Sequence, residues 1–236
     1  MTSALEEPTM RKTFGLCFLA LSLTAGTAQA QGLFLENGQP GISIANSEAV
    51  IGTGWSASLI GSYTYRGIFD LGLDVTRYSY GSGDEKGLSS IGLMPFANVY
   101  FLRAEDGQFP ISVSGTLAIQ KRIYMGNNEA PNPDGWGLLV GGSLFRRIEF
   151  SNSFAGIPEL FLAYDLQSIT WHSSVINPIS TAAISPGETT NYDHRARVLF
   201  RANMGFKAGP VVLITVSPYV GYQFGLAVGA NVGAIF

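Results

Sequence analysis

The sequence predicts an all-β fold: a closed, antiparallel, up-and-down transmembrane β-barrel of ten strands. Three observations carry that expectation. The final segment, Leu226, Val228, Ala230, Val232, Ala234 and Phe236, is apolar at every second residue, with small or polar residues between, and the same alternation recurs upstream. The chain is 46% hydrophobic and only 13% charged. Yet no apolar run after the first thirty residues approaches the ~20 residues that a membrane-crossing helix needs. Apolar content spread in alternation suits a closed sheet, which satisfies every backbone group in lipid.

The first thirty residues read as an export signal. Met10, Arg11 and Lys12 give a basic start, Phe14 to Leu23 an apolar stretch, and Ala28-Gln29-Ala30 a small-x-small cleavage pattern. Residues 1–30 are expected to be leader and signal peptide, cleaved after Ala30, and residues 31–236 the barrel domain. Glu6, Glu7 and Pro8 make a poor leader, which marks Met10 as an alternative start. Phe14 to Leu23 is too short for a membrane anchor. Cys17, the single cysteine, falls inside this leader, so the mature chain is expected to lack disulfide and thiol chemistry. As a lipid-acceptor site it would follow the bulky Leu16, where a small residue is wanted. The net charge of -3 gives no ground for nucleic-acid binding.

Clusters of Gly, Pro, Asn and Asp divide the rest. Strands are expected at Pro40 to Ser47, Gly54 to Tyr65, Ile68 to Tyr80, Leu88 to Leu102, Phe109 to Met125, Trp136 to Phe150, Glu159 to Ser173, Thr190 to Lys207, Val211 to Gln223 and Ala227 to Phe236. Such barrels have short periplasmic turns and longer outer loops. Counting back from a periplasmic Phe236, the short links at Ala208 to Pro210, Ser151 to Pro158, Ala104 to Gln108 and Arg66-Gly67 fall inside. The long ones, Gly126 to Gly135 and Ser174 to Thr189, fall outside. This parity requires the weak first strand. An eight-stranded barrel, merging Val211 to Phe236 or dropping other segments, is the alternative.

Alternation assigns the faces. Ile111, Val113, Leu117, Ile119 and Ile123 face lipid, which turns Ser112, Ser114, Thr116, Gln120 and Arg122 inward. Tyr192, Val198, Phe200, Met204 and Phe206 face out, with Arg195, Arg197, Arg201 and Asn203 inside. Phe69, Leu71, Leu73 and Val75 leave Asp70 and Asp74 inside; Leu160, Leu162, Tyr164 and Leu166 leave Asp165 and Gln167. A ten-stranded lumen is narrow enough for side chains to fill. Asp70, Asp74, Arg122, Arg147, Glu149, Asp165 and Arg201 are expected to plug it with ion pairs, since buried charges need partners. Arg146 breaks the alternation and calls for snorkelling or a local bulge. Trp55, Trp136, Trp171, Tyr65, Tyr80, Tyr100, Tyr124 and Tyr192 lie near strand ends, as interfacial girdles do. Gly225, Gly229 and Gly233 are expected to ease coiling and close packing of strands.

No metal-ligand cluster, phosphate loop or nucleotide motif stands out, so no cofactor is expected. The two histidines, His172 and His194, flank the loop Ser174 to Thr189 and are read first as polar rim residues. His172 and Ser174, with Glu188 beyond, are similar to the His-x-Ser pair and Glu orienter of the outer-membrane lipid A 3-O-deacylases, with Val175 and Ile176 where that family has an Asn and a Gly. Asp193-His194 with Asp84 resembles the acidic and histidine pairs of the omptin proteases.

The whole mature chain resembles the small Gram-negative outer-membrane β-barrel proteins, including the terminal Phe236, which that class uses as part of an insertion signal. The resemblance implies a Gram-negative outer membrane, contact with its lipid and lipopolysaccharide, and use of the barrel-insertion machinery. A non-catalytic barrel is expected, with loops Gly81 to Gly87, Gly126 to Gly135 and Ser174 to Thr189 making contacts to an unidentified external ligand. A small pore for polar solutes is the rival, and a lipid-modifying enzyme the third reading.

Overall fold

The computed structural model describes residues 32–36, 38–81, 89–104, 109–125, 134–173, 187–223 and 225–236, without the side chains of 171–173 and 187–189. The leader with Cys17, Asp84, Ser174 and most of the three long loops lie outside the described residues. The strands are β1 (Gly41–Ile51), β2 (Gly54–Tyr65), β3 (Phe69–Ser79), β4 (Ser89–Leu102), β5 (Ser112–Met125), β6 (Asp134–Phe145), β7 (Ile148–Ser151), β8 (Phe154–Ser173), β9 (Gly187–Lys207), β10 (Leu213–Tyr222) and β11 (Leu226–Ile235). Each pairs antiparallel with a neighbour, β6 also pairs with β8, and β1 meets β11 from Ser43 opposite Ile235 to Ile51 opposite Ala227. The sheet is therefore closed.

The barrel has ten staves, because β6 and β7 form one. Phe145 lies opposite Glu159 and Ile148 opposite Gly156, so no residue is inserted between them and the expected bulge at Arg146 is absent. What interrupts the stave is Pro158 on β8. Its carbonyl accepts from the Arg146 N–H at 3.3 Å, but it has no N–H to return. Arg146 is simply exposed beyond the end of β6. The same deficit leaves gaps at Pro95 between β4 and β5 and at Pro218 between β9 and β10.

Several expected boundaries move: β5 starts at Ser112 and not Phe109, β9 starts at Gly187 and not Thr190, and two strands lengthen further. The first strand runs on to Ile51, because Ala49 and Ile51 continue its inward face. The strand expected from Glu159 starts at Phe154, where Phe154 to Gly156 already pair with both β7 and β9. The separate β10 and β11, each paired along its length, exclude the eight-stranded alternative.

The wall is apolar outside and mixed within. Leu71, Leu73, Leu117, Ile119, Leu162 and Phe200 are exposed, whereas Asp70, Asp74, Arg122, Asp165 and Arg201 are buried. A water-soluble protein rarely exposes apolar surface so continuously. β1 is the exception, because it turns Asn46 and Glu48 outward between Ile44 and Val50.

Candidate functional site

The lumen is closed at the end where β1 starts and β11 finishes by the chain itself. Residues Gly32–Phe34 form a single 3-10 turn whose Leu33 is 1% exposed, packed with Phe34 against Tyr100, Phe145, Ile157 and Ile235. Phe34 lies where a Cβ on the inward-facing Gly205 would be, 2.6 Å from its ring, so that glycine makes room for the plug. Arg103 donates to the carbonyls of Leu35 at 2.6 Å, Gly32 at 3.4 Å and Gly67, and stacks on Tyr100. Arg147 donates to the Phe34 carbonyl at 3.3 Å and pairs with Glu36 at 3.5 Å and Glu149 at 3.0 Å. Arg147 therefore clamps this mouth instead of crossing the lumen. Glu149, with a side chain 66% exposed on β7, lies outside it altogether. A cavity of about 540 Å3 opens beside the plug, between the β7–β8 turn, the β9–β10 link and Phe236.

Above the plug lies the deepest ion pair. Glu159 and Arg201 meet at 3.1 Å with both side chains fully buried, and Glu159 also accepts from Ser143 and, at 3.0 Å, from Asn203. Asp70 accepts the Tyr100 hydroxyl at 2.5 Å. The waist of the lumen is apolar: Ile60, Met94, Phe96, Phe161, Leu199 and Tyr219 meet with Ala45, Ala49 and Ala118 in one cluster. Ion pairs thus share the lumen with a hydrophobic belt that alternation missed. A signal existed, in the three consecutive apolar residues Leu160-Phe161-Leu162 and Val198-Leu199-Phe200, where a side chain at inward parity is apolar too. Gly229 lies tight against the Tyr219 ring, which fits the expected close packing.

Beyond the belt, Arg197 pairs with Asp165, which also accepts from Gln167 at 2.6 Å. Asp74 accepts from Thr76 at 2.5 Å, and Arg195 pairs with Asp193. Arg122 donates to Gln120 at 2.9 Å and the Tyr80 hydroxyl at 3.4 Å, and lies 4.9 Å over the Tyr78 ring. Tyr78, Tyr80 and Tyr124 stack along the wall with centroids 6.2 and 5.9 Å apart. Tyr80, Tyr100 and Tyr124 are therefore lumen residues and not girdle residues, because they share the inward parity of Tyr78, Asn98 and Arg122. Trp55, Trp136, Tyr65 and Tyr192 do face outward, with Arg77 over Trp55 and Lys121 over Trp136. The Trp171 side chain lies outside the described residues. Of the seven charges expected to plug the lumen, Arg147 and Glu149 pair with each other, while Asp165 and Arg201 pair with residues outside the seven, Arg197 and Glu159.

The backbones of His172 and Glu188 lie opposite each other across β8 and β9. Their side chains, and Ser174, lie outside the described residues. Asp193 and His194 point to opposite sides of the wall: Asp193 turns in to Arg195, while His194 Nδ1 meets the Tyr164 hydroxyl at 2.5 Å outside. Among the described residues no group of His, Cys, Asp and Glu is placed to hold a metal ion.

No family model matches the chain, and no curated protein matches it. Among solved structures it is similar to Ail, the attachment invasion locus protein of Yersinia pestis, at 14% identity over 85% of this chain and 100% of that one, with a TM-score of 0.37. Neisserial surface protein A is similar at 10% identity over 83% of this chain and 94% of its own, TM-score 0.35. The beta domain of the Bordetella autotransporter Brka is similar at 12% identity over 85% and 98%, TM-score 0.46.

Proposed function

We propose that the protein is an integral barrel of a Gram-negative outer membrane, without catalytic activity, whose lumen is sealed and whose loops make its external contacts. The observation that carries this reading is the filled interior: the plug, the Glu159–Arg201 pair, the apolar belt and the tyrosine layer succeed one another from mouth to mouth. An apolar waist is a barrier to polar solutes even where ion pairs rearrange. The long loops between β3 and β4, β5 and β6, and β8 and β9 share one end and face the outside, with lipopolysaccharide beside the wall. Phe236 completes the seam at the other end, donating its N–H to Ile42 at 2.8 Å with its ring exposed, and serves the insertion machinery as the terminal signal. Conductance in planar bilayers tests the reading. The purified barrel is expected to leave the membrane electrically silent; a large, stable conductance overturns the seal and favours a pore. Shortening the three loops is expected to abolish binding to outer surfaces while the barrel still inserts.

A further inference from the structure

We propose that the outward face of β1 is the interface between two copies of this chain, which meet at Asn46 across a twofold axis along the membrane normal. The proposal rests on the reading of the wall as lipid-facing. Where β3, β5 and β9 turn Leu73, Ile119 and Phe200 to the outside, β1 turns out an exposed Asn46 and a half-buried Glu48. Asn46 is the central residue of Gly41–Ile51, so it stands halfway along the stave. Its Oδ1 accepts from the N–H of Ser47 at 3.0 Å, and among the described residues its NH2 group donates to nothing. Hydrocarbon offers that group no acceptor, and an amide left without one there is costly. A Lys or Arg reaches the headgroups on its long stem, whereas Asn has one methylene and does not.

A second copy supplies the acceptor, because the patch carries its own match. The Asn46 NH2 group is a donor, and the Asn46 carbonyl oxygen and the Glu48 carboxylate on the same face are acceptors. A twofold axis turns such a patch onto itself, donor to acceptor. With the axis beside Asn46, the two carboxamides meet and each donates to the other copy. The Glu48 side chains then stand about 7 Å further along strands that diverge from the axis, so the two carboxylates are kept on opposite sides of it. The flanks let the two walls approach. Glu48 lies opposite Ala230 and Ile44 opposite Ala234 on β11, and Pro218 on β10 lies opposite Ala230. On β2, a Cβ added to Gly61 would meet nothing within 4 Å. Interfaces within a bilayer draw on the same two elements, small residues that admit the neighbouring backbone and polar side chains that bond across.

The test uses the purified barrel in dioleoyl phosphatidylcholine vesicles, with Cys17→Ser so that an introduced cysteine is the only one. Copies labelled at Leu162→Cys, on the outward face of β8, are expected to show energy transfer that rises with protein density as a dimer requires. Asn46→Leu combined with Glu48→Leu is expected to raise the dissociation constant at least roughly tenfold, while the heat-dependent gel shift of a folded barrel is kept. A bimane on Val232→Cys, directly opposite Asn46, is expected to be shielded from brominated acyl chains in the parent and quenched in the double variant. The same probe at Leu162→Cys is expected to be quenched in both. A monomer at every density, with lipid or another protein then left to cover Asn46, would overturn the proposal. So would a dimer indifferent to the double substitution, or a Val232 probe quenched in the parent as fully as the Leu162 probe. An unquenched Leu162 probe would strike the lipid-facing reading of the wall itself, which tells the two failures apart.

Discussion

Arg201 and Arg122 are both buried in the lumen, on opposite sides of the apolar belt, and they are satisfied in different ways. Arg201 lies directly opposite Glu159 across β8 and β9, so one hairpin delivers both charges, and Ser143 and Asn203 hold the carboxylate from either side. Arg122 lies between Gly92 on β4 and Gly135 on β6, neither of which offers a side chain. Its guanidinium turns instead to Gln120, the Tyr80 hydroxyl and the Tyr78 ring, and its Nη2 has no hydrogen-bond partner. The neighbours across the ladder, and not the charge alone, decide whether a lumen arginine is held by a carboxylate or by an aromatic face.

Breaking the first arrangement should cost most. Glu159→Ala leaves Arg201 buried without its anion and is expected to destabilise the barrel by about 4 kcal/mol in urea unfolding from detergent micelles. Combining Glu159→Leu with Arg201→Met should recover most of that loss; a double variant as unstable as the single one would contradict the assignment. The belt comes next. Leu199→Ala removes a fully buried side chain from the waist, with an expected loss of about 3 kcal/mol on the same transition. Arg122→Met should shift stability by no more than about 1 kcal/mol in either direction, because the lost cation–π contact is offset by relief of a poorly paired buried cation. A loss above about 3 kcal/mol would reveal a carboxylate partner and erase the contrast with Arg201. The smallest effect belongs to Lys121→Ala on the outer face, where the 3.1 Å pair with a half-exposed Asp134 is worth about 0.5 kcal/mol.

Much of the architecture was legible in the sequence, because alternation reports which side of a wall a residue faces. Ten staves, their order and the inward position of Asp70, Asp74, Arg122, Asp165 and Arg201 follow from period and loop length. Alternation does not report depth or reach. It gave no sign that Arg197, two residues from the Arg195 that lies opposite Asp165, would take that carboxylate on the diagonal. Tyr80, Tyr100 and Tyr124 were misplaced when nearness to a strand end was weighed above parity. Glu149 was misplaced because it shares the parity of Arg147 but stands at the open end of the stave, on β7, where its side chain is exposed. The plug left no periodic trace at all, since a single 3-10 turn has no repeat to detect. His172 and Glu188 are paired across the ends of β8 and β9, so Glu188, expected in a loop, belongs to a strand; Ser174 lies outside the described residues.

The seam between β1 and β11 fixes the order of events in the life of the chain. The first stave finds its second partner only in β11, at the far end of the strand order, so no piece of the chain that lacks β11 can complete the ring. Contacts this remote in sequence form slowly, and until they form the strand edges and greasy faces are open to aggregation. Closure of the ring is therefore expected to come late in folding.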